Sequence, residues 1–190
     1  MKQRSVGTDI AMVAVFAALI AAFTLMPPLF MVGAVPFAVQ IVFVLLTPLV
    51  LGPGLGSAAL ALYLAVGFAG LPVFAQQQST FAVLAKPTAG YLVGYLVAAP
   101  VVGLVATLVL KRWQRGAPAI VGLVGAAVAG LLVIHACGVV GLMLNAKLGL
   151  GAAVGTTAAF LPLDLVKALL AALLAVAVFK AFPRLVKNRL

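Results

Sequence analysis

Apolar residues fill most of the chain in long runs, which short polar or proline-rich stretches interrupt. No charged residue lies between Asp9 and Lys86, and this interval can hold about three membrane spans of roughly 20 residues each. The runs and the prolines and glycines that bound them predict an all-α fold with six transmembrane helices. The predicted helices cover residues 8–25, 36–51, 55–68, 87–110, 118–144 and 162–182.

The connections between these helices carry further local signals. Pro27 and Pro28 are predicted to end the first helix, and residues 52–54 (GPG) predict a tight turn between the second and the third. Residues 67–80 contain three consecutive glutamines and predict a semi-polar loop that serves as a lid or a pocket wall. The glycine-rich residues 145–157 predict an irregular segment before the last helix.

Composition and charge support a membrane protein. The 190 residues are 66% hydrophobic and 7% charged, so we expect a single transmembrane domain, residues 1–190. The net charge of +10 is concentrated at the ends of apolar runs, which indicates membrane orientation rather than nucleic-acid binding. Both termini are predicted to be cytoplasmic, because only Lys86 and Lys147 then lie outside. The basic residues predicted inside are Lys2, Arg4, Lys111, Arg112, Arg115, Lys180, Arg184, Lys187 and Arg189.

Several function classes find little support. The basic N-terminus and first apolar run resemble a signal peptide, but no convincing cleavage site follows, so the first helix is expected to be retained. Cys137 is a single cysteine and offers no disulfide or metal-binding pattern. The sequence has no GxxxxGK[ST] phosphate loop, and Ser57 and His135 lack the setting of a serine hydrolase. We therefore expect neither an enzyme nor a cofactor.

Asp164 and Lys167 stand near the start of the last predicted helix, in otherwise apolar surroundings. Asp164 is one of only two acidic residues, and a spacing of three places both side chains on one helical face. Ionisable groups in membrane segments are costly, so they tend to be paired and to line a site. Two interpretations are open: a ligand-binding pair in which Asp164 accepts N–H groups, or a helix-start acid with a partner that makes burial tolerable.

Further candidates for ligand contact come from three other parts of the chain. Lys86 suits a carboxylate and Gln40 suits a polar ligand, although a snorkelling lysine and a neighbouring backbone group are open alternatives. Gln77, with its neighbouring glutamines, belongs either to a binding site or to a solvated loop. Phe74 and Tyr91 suit a ring, but aromatic residues are also common at membrane interfaces. The predicted topology gathers these features on the outer side, which favours an outward-open pocket.

Two other features have more than one interpretation. His135 lies inside the fifth predicted helix, either in a proton relay or as a packing histidine with one hydrogen bond. Ala14, Ala18 and Ala22 form a small-residue stripe on the first helix, which lets a partner protein or another helix of this chain approach closely. A proton-coupled carrier remains an alternative function, with Asp164 as its only plausible intramembrane carboxylate.

Four blocks, in order along the chain, together resemble the BioY family, although no single block would be specific. Members of this family are the biotin-specific substrate-binding (S) components of energy-coupling-factor (ECF) vitamin transporters. The blocks are residues 35–40 (VPFAVQ), 51–75 (LGPGLGSAALALYLAVGFAGLPVFA), 86–95 (KPTAGYLVGY) and 160–175 (FLPLDLVKALLAALLA).

The resemblance implies a six-helix S component of a prokaryotic cytoplasmic membrane, with a biotin site near the outer surface. It implies that Asp164 and Lys167, in the family's P-x-D-x-x-K pattern, bind the ligand. Gln40, a candidate ligand contact, matches the family's Val-Pro…Gln segment. The resemblance also implies that the alanine stripe of the first helix docks against a transmembrane coupling protein and that a pair of ATPase subunits supplies the energy. Membrane lipid is a further expected partner, and a homo-oligomer is an open possibility. An S component for another vitamin is the alternative within this class.

The chain departs from the family pattern in the expected pocket wall. Residues 86–91 read KPTAGY where the family usually has GPTGGY, and residues 76–80 replace the usual glycines after the Pro-Val-Phe-Ala run. Leu163 stands where the family often has glycine beside the aspartate. Lys86 is therefore a candidate replacement partner for the biotin carboxylate.

Overall fold

The computed structural model describes residues 5–26, 31–32, 35–36 and 38–187. Lys2, Arg4 and Arg189, and the predicted helix end at Pro27 and Pro28, lie outside the described residues. The described part is all-helical apart from one pair of two-residue strands, which confirms the predicted fold class. Its elements are α1 (Val6–Thr24), β1 (Met31–Val32), β2 (Val35–Pro36), α2 (Ile41–Phe68), α3 (Ala89–Arg112), α4 (Ala117–Asn145), α5 (Leu150–Ala158), α6 (Leu161–Ala181) and α7 (Pro183–Lys187).

Most helix boundaries follow the apolar runs of the sequence. The ends of α1, α3, α4 and α6 lie within two residues of the predicted ends, because the flanking prolines, glycines and charges stop each helix locally. Among the described residues, α1, α2, α3, α4 and α6 form five helices long and apolar enough to cross a membrane. The arrangement with six spans and cytoplasmic termini stays a prediction.

The helix α2 reverses direction at Gly52. This residue has φ 85° and ψ −177°, a backbone conformation that favours glycine. A Cβ atom at Gly56 would lie 2.7 Å from the Cα atom of Pro48, although a straight helix would separate these residues by about 12 Å. The arms 41–51 and 53–68 therefore run back along each other, as the predicted turn at residues 52–54 requires.

Two predictions about the connections are wrong. Pro36 does not open a helix, because β2 pairs with β1 in an antiparallel ladder and α2 begins only at Ile41. Residues 145–157 are not irregular throughout, since α5 begins at Leu150 within them. Alanine and leucine favour a helix there more than the two glycines, each costing about 1 kcal/mol, oppose it. Burial of Ala153 and Thr157 adds tertiary support.

Close contacts between small residues join α3 and α4. A Cβ atom at Gly90 would overlap the carbonyl oxygen of Cys137, so the two backbones leave no room for a side chain at this point. Such close approach is how small residues bring helices together in membranes, where lipid offers no hydrophobic driving force for association. The seam is antiparallel along its length, with contacts Gly90–Gly141, Gly94–Ile134, Val102–Gly130 and Val109–Gly122.

The helix α2 lies at the centre of the bundle and α1 lies at its edge. In the most apolar 18-residue stretch of α2, 67% of the residues are buried, whereas in that of α1 only 11% are buried. Ala17, Ile20 and Thr24 form the buried face of α1. The alanine stripe lies on the exposed side, so the interpretation that it packs against another helix of this chain is wrong for the described part. The stripe comprises Ala14, Ala18 and Ala22.

The loop between α2 and α3 folds into short turns and is tied to itself and to the bundle. Phe74 N donates a hydrogen bond to Gln78 O at 3.0 Å, which closes a small turn around Gln76 and Gln77. Gln76 (φ 60°), Gln77 (φ 57°) and Thr80 (φ 64°) all have left-handed backbone conformations. Glycine adopts such conformations without steric cost, which gives a physical reason for the glycines that the family usually carries here.

We expect Thr80→Gly to raise the Tm of the detergent-purified protein by about 2–4 °C. Thr80 combines φ 64° with ψ 175°, a region that only glycine occupies readily and that costs other residues about 1–3 kcal/mol. The hydrogen bond that its Oγ1 accepts from Ala82 N is long, at 3.4 Å, so its loss offsets little of the gain. Ser79→Gly is the control, because Ser79 has no positive φ and gains only chain entropy in the unfolded state. Equal Tm losses in both variants would contradict this prediction.

Candidate functional site

A cavity opens where the segment before α2, the loop between α2 and α3, and the first turns of α3 and α6 meet. Its empty space, counted together with the solvent at its open mouth, is about 590 Å³. Its wall is mainly apolar, so the few polar groups in it define the chemistry. The larger apolar residues of the wall are Val35, Ile41, Phe74, Val83, Leu92 and Phe160.

Asp164 is the charged centre of this cavity. It lies in the first turn of α6, where Pro162 suits the helix start, and its backbone N–H donates to Phe160 O at 2.9 Å. Its Oδ1 accepts a hydrogen bond from Lys167 Nζ at 2.6 Å, and its Oδ2 lies 3.0 Å from His135 Nε2. The exposed fractions of Asp164, Lys167 and His135 are only 2%, 5% and 6%. The predicted placement of Asp164 and Lys167 on one face of the last helix is confirmed.

Lys167 neutralises Asp164 and also ties α6 to the segment before α2. Its Nζ donates to Ala38 O at 2.9 Å in addition to the carboxylate. Lys167 is not part of the cavity wall, whereas Asp164 is. Each carboxylate oxygen can accept two hydrogen bonds, so Asp164 keeps acceptor capacity for a ligand after binding Lys167 and His135. The arrangement suits a ligand that donates N–H groups.

Two tyrosines of α3 form another side of the polar end. They lie four residues apart and therefore on one helical face, and both line the cavity. Tyr95 accepts a hydrogen bond from Gln40 Nε2 at 3.0 Å, and the hydroxyl groups of Tyr91 and Thr157 share a hydrogen bond of 2.8 Å. Each tyrosine is thereby held by a different element, Tyr95 by the start of α2 and Tyr91 by α5.

Phe74 forms an aromatic part of the wall and is fixed from behind. Its ring meets Tyr63 and Phe68 edge-on, with centroid distances of 5.7 Å and 5.3 Å. A Cβ atom at Gly67 would overlap the Phe74 ring, so the ring packs directly on the helix backbone. Tyr63 also donates a hydrogen bond to Val73 O at 3.1 Å. The loop thus presents Phe74 to the cavity from an anchored position.

The structure brings several of the predicted site residues together at the cavity but leaves others outside it. Gln40, Phe74, Tyr91 and Asp164 line the wall, with Lys167 directly behind the carboxylate. A role in ligand contact stays a prediction for each of them.

Gln77 and Lys86 are exposed and lie outside the wall, where Gln78 and Thr88 stand instead. The left-handed turn at Gln76 and Gln77 directs the loop so that Gln78 becomes the lining glutamine, and this turn has no signal in the residue types themselves. The carbonyl oxygen of Lys86 accepts a hydrogen bond from Asn145 Nδ2 at 2.9 Å, which fixes the approach to α3. The ligand roles of Gln77 and Lys86 also stay predictions.

Sequence reasoning missed Tyr95 and Thr157 at this site. Tyr95 follows Tyr91 by one helical turn, and this spacing in the sequence is a signal that predicts a shared face. Thr157 was missed because residues 145–157 were predicted to be irregular, whereas Thr157 lies in the helix α5. The contact between His135 and Asp164 had no signal, because the residues lie on different helices and 29 positions apart.

The fold is that of a multi-pass membrane protein, with a mainly apolar cavity that contains a buried carboxylate. The model of the BioY family matches residues 1–184, and the chain belongs to this family. The biotin transporter BioY of Rhizobium etli is 35% identical over 179 residues, covering 93% of this chain and 96% of that protein. The biotin transporter BioY of Rhodobacter capsulatus is 34% identical over 176 residues, covering 88% and 90%.

The fold is also similar to a known crystal structure. That structure, at 2.1 Å, is of the S-component for biotin from an ECF-type ABC transporter. The TM-score is 0.83 with 21% identity, over 93% of this chain and 95% of that one, which shows a shared fold. With its family and its apolar helices, the chain is a multi-pass protein of the cell membrane and a transporter component rather than an enzyme.

Proposed function

We propose that this chain binds biotin in the cavity and takes it up as the S component of an ECF-type vitamin transporter. The observation that carries the proposal is the buried Asp164 at the polar end of a mainly apolar cavity. The relatives named biotin transporters and the shared fold with an S-component for biotin support it.

The two fused rings of biotin need different surroundings. Its ureido ring carries two N–H donors, which suit the Asp164 carboxylate through charge-assisted hydrogen bonds. Its thioether ring is apolar and suits Phe74, Leu92 and Phe160 in the wall. The cavity therefore holds the bicyclic ring system with Asp164 at the ureido side.

The anionic tail of biotin points toward the mouth of the cavity in this proposal. Lys167 is engaged by Asp164 and by the carbonyl oxygen of Ala38, so it acts as the counter-charge of Asp164. Lys86 is exposed and stands two residues before Thr88, which lines the cavity. Lys86 is the cation that we assign to the carboxylate of the tail.

The proposed partners follow from the exposed side of α1 and from the sequence. A transmembrane coupling protein docks on the alanine stripe, which is exposed in the described chain. A pair of ATPase subunits supplies the energy, since this sequence carries no phosphate loop. No cofactor takes part, and biotin is the transported ligand.

Calorimetry with the detergent-purified protein tests the proposal directly. Saturable binding of biotin, and none of riboflavin or thiamine, is the expected result. A folded, monodisperse sample that binds no biotin would refute the proposed ligand. Uptake in cells with and without the coupling and ATPase subunits then tests the energy source. Uptake without them that a proton ionophore abolishes would favour the proton-coupled carrier.

We expect Ala18→Leu to reduce biotin uptake by the complete transporter at least about tenfold, while biotin binding by the purified protein stays unchanged. A leucine in the middle of the alanine stripe keeps the coupling protein from approaching the backbone of α1. Ala18 is exposed and is not among the residues that line the cavity, so we expect the site to be undisturbed. Val15→Leu, at an exposed position of the same helix outside the stripe, is the matched control. Equal uptake by both variants would argue against docking at the stripe.

A further inference from the structure

His135 is a buried polar residue of the cavity wall with an unused hydrogen-bonding atom. It projects from α4, and its Nε2 lies 3.0 Å from Asp164 Oδ2. Its Nδ1 is buried and has no hydrogen-bond partner within the described part of the chain. A buried acceptor or donor without a partner costs about 1–3 kcal/mol, so such an atom on a side chain that lines a cavity is unusual.

The contact between Nε2 and Asp164 determines whether Nδ1 is a hydrogen-bond donor or an acceptor. An ionised carboxylate only accepts hydrogen bonds, so the hydrogen of the imidazole lies on Nε2, between His135 and Asp164. The Nδ1 atom of the neutral ring is then an acceptor with a free lone pair. Asp164 and Lys167 already balance each other's charge, so the neutral ring leaves the buried cluster without net charge.

The His135 ring is held in one orientation by its surroundings. Tyr91 meets it edge-on, with a centroid distance of 6.3 Å and an interplanar angle of 80°. Tyr91 packs in turn on Gly138, where a Cβ atom would overlap its ring, and bonds to Thr157. A ring fixed by Asp164 on one side and Tyr91 on another is prepared for a directed contact.

We propose that His135 is a second ligand acceptor: its Nδ1 accepts one ring N–H group of biotin while Asp164 accepts the other. This inference rests on the proposed function and adds a residue that recognises the ureido ring. The ligand supplies the donor that Nδ1 lacks, so binding removes an unsatisfied buried group as well as making a new hydrogen bond. The site thereby selects ligands with two N–H groups on a five-membered ring.

Two substitutions separate the two nitrogen atoms of His135. In His135→Gln the amide nitrogen takes the place of Nε2 and still donates to Asp164, but no acceptor stands at Nδ1. In His135→Asn the amide lies near the Nδ1 position, and the contact with Asp164 is lost. We expect His135→Gln to weaken biotin binding at least about tenfold. Ile134→Val, at the neighbouring buried position of α4, reports what loss of packing alone does.

Biotin analogues methylated at one or the other ring nitrogen test the contact itself. The parent is expected to bind both more weakly than biotin, since each lacks one N–H group. His135→Gln should lose further affinity for only one of the two analogues, because the other already lacks the hydrogen bond to His135. This pattern distinguishes ligand contact from an effect transmitted through Asp164, which would lower the affinity for both analogues equally.

Each outcome of these titrations bears on the proposal. Equal biotin affinity of the parent and His135→Gln would refute the contact while leaving biotin binding intact, and so would equal losses for both analogues. A parent that binds no biotin refutes the proposed function and, with it, the contact. If His135→Gln does not fold, the two analogues still test the contact in the parent protein. An analogue that the parent binds as tightly as biotin would show that one N–H group has no acceptor, which would refute the contact.

Discussion

Replacing Asp164 with asparagine is expected to abolish measurable biotin binding, with a loss of affinity of at least about a hundredfold. Asparagine keeps the shape of the side chain but presents one neutral oxygen and an amide group that repels N–H donors. The same change removes the negative charge that Lys167 Nζ contacts at 2.6 Å and leaves a buried ammonium without its counter-charge. Calorimetry on the purified variant measures the effect.

The other acidic residue of the chain provides the matched control. Asp9 lies in the first turn of α1 and is not part of the cavity wall, so Asp9→Asn makes the same chemical change away from the site. We expect its biotin affinity to equal that of the parent. An Asp164→Asn protein that elutes as a folded, monodisperse species and binds biotin within about threefold of the parent would contradict the central role of Asp164.

The features of the fold that depend on local sequence were predictable. Apolar runs bounded by proline, glycine or charge fix the ends of α3, α4 and α6. The turn at residues 52–54 was also visible, because Gly52 adopts a conformation that suits glycine. The strand Val35–Pro36 pairs with Met31–Val32 instead of opening a helix. In the helix Leu150–Ala158, the glycines obscured the helix propensity of alanine and leucine.

The polar core of the site was predictable only within a single helix. The spacing of Asp164 and Lys167 placed them on one face, and the ion pair confirms this. The other contacts join separate helices and follow from how those helices cross. Gln40 meets Tyr95 across 55 positions, and no pattern in the sequence records such a distance.

The interpretation of His135 shows the same limit. The sequence allowed a packing histidine with one hydrogen bond, and within the described residues His135 makes one side-chain hydrogen bond, to Asp164. The partner changes the meaning of that bond, since it connects α4 to the charged centre of the cavity. Burial shows that a polar group without a hydrogen bond costs free energy. Only the neighbours of that group indicate which ligand atom could supply the missing hydrogen bond.

Gly90→Ala is expected to cause a large loss of stability, of about 3 kcal/mol, because it enforces a separation of α3 and α4. The new Cβ atom would overlap the carbonyl oxygen of Cys137 and lie 2.8 Å from both the Cα and N atoms of Gly141. All three are backbone atoms, which cannot move away as a flexible side chain can. The neighbouring Tyr91 would be drawn from Thr157, so biotin affinity should fall together with the Tm in detergent.

Gly125→Ala is the matched control for this substitution. Gly125 lies in the partner helix α4, and a Cβ atom there would meet no atom of the described residues within 4 Å. Alanine favours a helix by about 1 kcal/mol over glycine, so this variant should keep or raise the Tm. Both variants add one methyl group to the pair α3 and α4, at Gly90 in their contact and at Gly125 away from it. Only Gly90→Ala should lower the Tm. Equal Tm values for both would show that α3 and α4 do not pack backbone to backbone at Gly90.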